Sequence, residues 1–325
     1  MTKKIKNFLT TLGGTILGIA LMLYIYKGFD FQPIGKLLLE HQHLPWIVLT
    51  LLVGVLANLF RAFRWRMLLK AAEIPIGKRR AVELVFISYL INSITPRLGE
   101  LTRSLLVRKG NAEASTRAFG TVVTEKLSDV ACLILVVAMA VALRWKDTVD
   151  LVGRTAEGLH NALPSYSLFI IIVLIVCLAI GLTLPRLQQL RLLFGNLWKG
   201  IAAIGKLESP LKFILLCGAI WCCNFLQLYL LIPCFEELSG LSGTDALYLF
   251  AAASIGVLLP TPSGAGPWHF AIVRTLTTAY SIPSEVAKSF ALITHGLKTA
   301  LVMILGILAY ITFYWEIWTH RKLSK

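Results

Sequence analysis

The chain has 325 residues, of which 57% are hydrophobic and 15% charged, with a mean hydropathy of +0.74 and a net charge of +15. A soluble domain of this size carries about 25% charged and about 45–50% apolar residues. The excess apolar surface therefore needs lipid to cover it, which excludes a soluble enzyme, a disordered tail and a secreted disulfide scaffold. On a membrane protein the positive charge reads as cytoplasmic loop charge and attraction to anionic lipid, not as a nucleic-acid footprint.

A helix needs about 20 apolar residues to cross the hydrocarbon core. The first candidate is 8–26, in MTKKIKNFLTTLGGTILGIALMLYIYK; it is long enough to span and lacks a small-residue cleavage site, so it is read as a span and not a signal peptide. The second is 44–62, followed by RAFRWRMLLK at the expected cytoplasmic interface. There Arg66 and Lys70 serve as topology determinants, and Arg64 has the length to snorkel to a lipid phosphate. Residues 81–108 are apolar but broken by TPRLGE, each half being too short to cross alone. Further spans are expected at 116–143, 165–184 and 211–232. A second broken stretch, 246–280, is interrupted by PTPSGAGP, and a last span is expected at 286–314.

Charge sorts these segments. A single crossing at 81–108 would place Arg108, Lys109 and Arg117 opposite Arg61, Arg64, Arg66, Lys70, Lys78, Arg79 and Arg80, against the positive-inside rule. A re-entrant hairpin from the cytoplasmic side keeps both basic stretches together. Treating 246–280 as an external re-entrant hairpin puts both termini in the cytoplasm. Most of the 32 Lys and Arg are then cytoplasmic, and only Lys126, Lys288 and Lys298 lie inside spans. The expected fold is all-α integral membrane, with six transmembrane helices plus two re-entrant hairpins. Residues 1–143 and 165–314 form two halves of three spans and one hairpin each, an inverted-topology repeat of the kind that brings broken helices together near the midplane. The TP pair at Thr95-Pro96 and Thr261-Pro262 is the sequence echo.

Ionisable groups inside a membrane are functional candidates because of what they cost to insert. Glu125 and Asp129 are four apart on one helical face, with Lys126 displaced by about 100°. The face can accept Arg or Lys from the first hairpin, either to bind substrate or to hold helices together. That hairpin carries Asn92, Thr95, Pro96, Arg97, Gly99, Glu100 and Arg103. Arg97 and Arg103 suit a phosphate oxygen, while Glu100 and Arg103 could equally pair locally. The second break holds Pro260, Pro262, Gly264, Gly266 and Pro267, where glycine allows close backbone approach. His295 and Lys298 are three apart in the last span, and His269 is read as a packing or interfacial residue. The six cysteines lack zinc-site spacing and read as packing residues. No nucleotide-binding loop, HExxH or activated nucleophile occurs, so neither enzyme activity, cofactor nor metal is expected.

In order, RAFRWRMLL, NSITPRLGELTRSLLVRK, TVVTEKLSDV and LLPTPSGAGPWHFAIV resemble the membrane region of lysylphosphatidylglycerol synthases and related flippase-like membrane proteins, over residues of about 55 to 312. The resemblance implies movement of a modified phospholipid or polyprenyl-linked lipid between leaflets. Position by position it implies roles for Arg97, Gly99, Glu100, Arg103, Glu125, Lys126, Asp129, Pro262, Gly264 and Gly266. Where the family usually has arginine, this chain has Lys126, which keeps the charge and loses the bidentate fork. The synthases add a cytoplasmic aminoacyl-transferase domain after the last span, whereas this chain ends at WEIWTHRKLSK, so no lysyl transfer is expected of it.

The expected function is a lipid translocase of the inner or plasma membrane, with a membrane phospholipid as substrate. A separate lipid-modifying enzyme and a second copy of the chain are the other partners considered. The alternatives are an ion-coupled carrier of a small polar solute, with Glu125, Asp129, His295 and Lys298 as a proton relay, and a noncatalytic partner that docks an enzyme.

Overall fold

A computed structural model of the chain describes residues 3–107, 111–145, 198, 202–259 and 261–323. Helices α1 (Lys3–Ile25), α2 (Gln32–Leu39), α3 (Leu44–Ala71), α4 (Lys78–Ile94), α5 (Leu98–Val107) and α6 (Ala112–Leu143) make up the first part. Helices α7 (Pro210–Tyr229), α8 (Gly243–Gly256), α9 (Pro267–Ala279) and α10 (Ser284–Leu323) make up the second. Among the described residues there is no strand. The span expected at 165–184 lies outside them.

Helix starts follow local chemistry. The Asn111 side chain accepts from the Ala114 N–H at 2.9 Å and opens α6. Pro45 and Pro210 occupy first-turn positions of α3 and α7, where the missing N–H has no intrahelical partner to lose. Ser242 and Asp245 form a reciprocal capping box on α8. α4 ends at Ile94 because Thr95, held extended before Pro96, cannot continue the helix.

Among the described residues, four helical stretches are long and apolar enough to cross a membrane: Leu44–Ala71, Ala112–Leu143, Pro210–Cys234 and Ser284–Glu316, with a shorter apolar stretch at Gly13–Ile25. Their outer faces are oily. Ile134, Leu135, Ile214, Leu215 and Ile304 are each 60% exposed or more, a surface that acyl chains cover and water would not.

α3 extends well beyond the expected limit at 62, because backbone hydrogen bonding continues through the basic segment that ends the apolar run. α3 and α7 pack antiparallel, with Leu68 near Phe213 at one end and Ile47 in a cluster with Leu228 and Leu231 at the other. α4 lies along α10, α6 along α8, and the short pairs α4–α5 and α8–α9 each fold back on themselves. Among the described residues, beside two small apolar clusters, two large ones result. One gathers Leu249, Ile272, Phe290 and Ala291, the other Trp65, Leu84, Ile87, Val122 and Phe313. Asn58, Arg61, His295 and Lys298 fall, along α3 and α10, between the parts of those helices that enter the two clusters.

Candidate functional site

The site is built on the two helix breaks and the helices packed against them. At the first, Asn92 in the last turn of α4 clamps the start of α5: its carbonyl oxygen accepts from the Gly99 N–H at 2.8 Å and its amide donates to Glu100 at 3.1 Å. A Cβ on Gly99 would collide with the Ser88 carbonyl, so only glycine lets α5 fold this closely on α4. Arg97 takes a left-handed backbone (φ 61°) at the turn.

At the second break, Pro262–Gly264 make one 3-10 turn and α9 begins at Pro267. Gly266 has φ 89°, and a Cβ there would lie 2.8 Å from the Gly18 carbonyl, so α1 seats directly on the break. Gly264 is also in the positive-φ region, at 78°. Pro260 lies outside the described residues. His269, one turn into α9, accepts from the Gly266 N–H at 3.4 Å and is buried. Its ring meets that of His295 on α10 at 4.7 Å, and His295 Nε2 contacts the Ser263 carbonyl at 3.0 Å. Of the two roles expected for His269, packing or interfacial, its burial within the break fits packing.

The two breaks touch. Ser263 Oγ donates to Ser93 Oγ at 3.1 Å, and Arg97 Nη2 donates to the Leu258 carbonyl at 2.9 Å. Arg97 is exposed and spends this hydrogen bond on the opposite break.

The charged groups converge on α6. Glu125 and Asp129 share one face, as their spacing requires, and that face receives Arg64 from α3 and Arg103 from α5. Arg64 pairs with Asp129 at 2.8 Å and lies 3.6 Å from Glu125; Arg103 pairs with Glu125 at 3.1 Å and stacks over Trp65 at 4.5 Å. Trp65 is held by its indole N–H, which donates to Thr121 at 3.1 Å. Lys126 sits on a separate face and pairs with Glu100 at 3.0 Å while half of its side chain stays accessible.

Two expectations from the sequence change here. Arg64 does not snorkel to the surface: it is wholly buried, because α3 continues past residue 62 and turns this side chain toward α6. Glu100 and Arg103 do not pair with each other; although neighbours on α5, they reach different residues of α6. Arg103, expected to suit a phosphate oxygen, is paired with Glu125. Further out, Lys70 makes an exposed pair with Glu208 at 2.7 Å, and Arg66 donates to the Ile76 carbonyl, as suits residues at a helix end.

One part of the site has no counterpart in the sequence reading. Arg61, one turn before Arg64, donates to the carbonyl oxygens of Asn58 at 3.3 Å and Asn224 at 3.2 Å, and its guanidinium lies 5.5 Å from the Tyr89 ring. The stripe Gly54, Asn58, Arg61, Arg64 at helical spacing inside a span was the available signal.

Among the described residues the site thus holds six cations, Arg61, Arg64, Arg97, Arg103, Lys126 and Lys298, and three carboxylates, Glu100, Glu125 and Asp129. Among the described residues no group of His, Cys, Asp and Glu is placed to hold a metal ion.

An all-helical chain with an oily exterior and charges gathered at paired helix breaks is a polytopic integral membrane protein with a polar core. It belongs to the family described as the lysylphosphatidylglycerol synthase TM region, whose model matches residues 11–306. Over 129 residues it is 26% identical to the UPF0104 membrane protein PH1989 of Pyrococcus horikoshii, a match that covers 38% of each chain. No solved structure matches it.

Proposed function

We propose that this protein is a lipid translocase, moving a phospholipid or a related anionic or modified lipid between leaflets along the polar core. The observation that carries the reading is the contact between the two helix breaks, Ser93 to Ser263 and Arg97 to the Leu258 carbonyl. Non-helical backbone at membrane depth is tolerated where protein or a polar cavity surrounds it, and two such breaks in contact make a polar track through an apolar protein. A head group following that track avoids most of the cost of crossing hydrocarbon. Membership in a family described by a lipid synthase's membrane region points the same way.

The reading includes six spans, with 8–26 and 165–184 as the first and fourth, and α4–α5 and α8–α9 as re-entrant hairpins from opposite sides. Packing supports an inverted repeat. Exchanging α3 with α7, α4 with α8, α5 with α9 and α6 with α10 turns the contacts α4–α5, α5–α6, α4–α10, α3–α4 and α3–α10 into α8–α9, α9–α10, α8–α6, α7–α8 and α7–α6, all of which occur. We place both termini in the cytoplasm, the protein in an inner or plasma membrane, and any chemistry on the lipid in a separate enzyme. In this scheme Glu100, Glu125, Lys126 and Asp129 hold the hairpin on α6, and Arg97 joins the halves.

Head-group accessibility in proteoliposomes, with labelled anionic and zwitterionic phospholipids, tests the proposal. Exchange faster than in empty liposomes, unchanged by a proton gradient and lost in Arg97→Ala and in folded Glu125→Gln, is expected. No exchange of any lipid overturns it. The buried His269–His295 contact favours a second reading, an ion-coupled carrier, for which solute uptake driven by a proton gradient is the signature.

A further inference from the structure

We infer that Arg61 and Lys298 form a site for a phosphate group, an inference that rests on the translocase reading and names the part of the substrate this core recognises. The charges of the core divide cleanly. Arg64, Arg103 and Lys126 are each matched to a carboxylate, Asp129, Glu125 and Glu100 respectively, at 3.1 Å or less. Among the described residues Arg61 and Lys298 form no ion pair, although both project from helices that cross the apolar region.

The two are neighbours. α3 and α10 pack together, and Lys298 and Arg61 lie close enough for their charges to repel. The groups that orient Arg61 are neutral amides, Asn58 and Asn224, and the Asp129 carboxylate, whose field reaches Arg61, is hydrogen-bonded to Arg64. Asn58 is itself fixed by donating to the Gly54 carbonyl at 2.8 Å. This is a held guanidinium and not a floppy one. Two of its five N–H groups are used by the amides, the Lys298 ammonium keeps its three donors, and the Asn224 amide nitrogen has no acceptor among the described residues. A planar fork, a point charge and an amide donor converging from three helices is a donor set for tetrahedral anionic oxygens.

The position fits a translocation path. Lys298 is one turn beyond His295, which touches Ser263, and Tyr89, beneath the Arg61 guanidinium, is one turn before Ser93, which also touches Ser263. The unmatched cations therefore adjoin the point where the breaks meet. A lipid phosphodiester and free phosphate share the required chemistry, and their binding differs in whether acyl chains contribute.

The test is binding to the purified full chain in detergent, using dihexanoyl phosphatidylglycerol, dihexanoylglycerol and inorganic phosphate as probes. Expected is binding of the phosphatidylglycerol but not the neutral diacylglycerol, weakened about tenfold or more in Arg61→Gln and in Lys298→Gln, and restored toward native in Lys298→Arg. Inorganic phosphate binding as tightly as the phospholipid supports the site and assigns it to free phosphate; phosphate that is much weaker assigns it to the lipid. Undiminished binding in both folded Gln variants overturns the site, as does failure of the native chain to bind either phosphate probe. A second readout guards against misfolding: without anion, Lys298→Met melts at or above the native temperature, since it removes repulsion from Arg61, and a marked fall overturns the assignment. Head-group exchange is measured separately. Binding without exchange leaves the site standing and defeats the translocase reading; exchange with no loss in the Gln variants does the reverse.

Discussion

Arg64 on α3 and Asp129 on α6 meet at 2.8 Å, and the guanidinium is wholly buried while the carboxylate keeps about a quarter of its surface (27%). Desolvating such a pair is expensive, and removing one partner is worse because it strands the other charge, by about 3–5 kcal/mol in buried pairs. Asp129→Asn is therefore expected to lower the melting temperature strongly. Arg64→Met with Asp129→Leu, which removes both charges and keeps the volume, should recover much of the loss. A double variant no more stable than Asp129→Asn would mean that the pair is not what Asp129 contributes.

Glu125 accepts from Arg103 and also lies near Arg64, so Glu125→Gln strands parts of two cations. Its destabilisation is expected to exceed that of Asp129→Asn, by about 1 kcal/mol or more. Glu100→Gln breaks only the pair with half-accessible Lys126 and should cost less than either, about 1 kcal/mol. Denaturant or thermal unfolding of the three single variants in one detergent gives the ranking; Glu100→Gln as the most damaging change would contradict the placement of Lys126.

Gly99 and Gly218 make a matched comparison. A methyl group at Gly99 meets the Ser88 carbonyl, whereas a methyl at Gly218, within α7, meets nothing within 4 Å. Gly99→Ala is expected to lose about 3 kcal/mol or more, or to prevent accumulation of folded protein, because backbone must move to admit it. Gly218→Ala should be neutral or stabilising by up to about 1 kcal/mol. Equal yields and melting temperatures would show that α5 does not fold on α4 as described.

The hydroxyls of Ser93 and Ser263 are 3.1 Å apart across the junction of the two breaks. In a cysteine-free background, Ser93→Cys with Ser263→Cys is expected to cross-link under mild oxidation and to arrest head-group exchange until reduced. The single variants should not. Free exchange by the cross-linked chain would place the lipid path elsewhere.

How far these features could be read from sequence depends on what each one rests on. The helix breaks were legible because Thr95-Pro96 and the run from Thr261 to Pro267 violate local helical rules that operate whatever the tertiary context. The common face of Glu125 and Asp129 was legible for the same reason, helical period alone. Partner choice was not. Whether Arg103 meets Glu100 or Glu125 depends on how α5 lies against α6, and no spacing within the chain encodes that. Apolar length marks only where hydropathy falls, whereas α3 continues to Ala71 and buries Arg64 against α6, which hydropathy does not encode. A basic residue at the end of an apolar run already has a sufficient topological explanation, which hides the contacts of Arg61 with Asn58 and Asn224.

Opposite ends of the bundle provide the test of orientation. α3 and α7 run antiparallel, so exposed Lys78, just after α3, and exposed Glu237, just after α7, lie at opposite ends. The first neighbours Arg79 and Arg80 and the second follows the acidic residue Glu236, so the positive-inside rule assigns Lys78 to the cytoplasm and Glu237 to the exterior. With the native cysteines replaced, exposed Cys222 among them, Glu237→Cys should react with an impermeant maleimide on intact cells. Lys78→Cys should react only after permeabilisation. The same pattern fixes the side from which each broken pair enters, because α4 begins at Lys78 and α8 begins at Gly243, shortly after Glu237. Labelling of both positions from one side would remove the inverted repeat, and the reverse pattern would turn the whole assembly over while leaving the junction of the breaks intact.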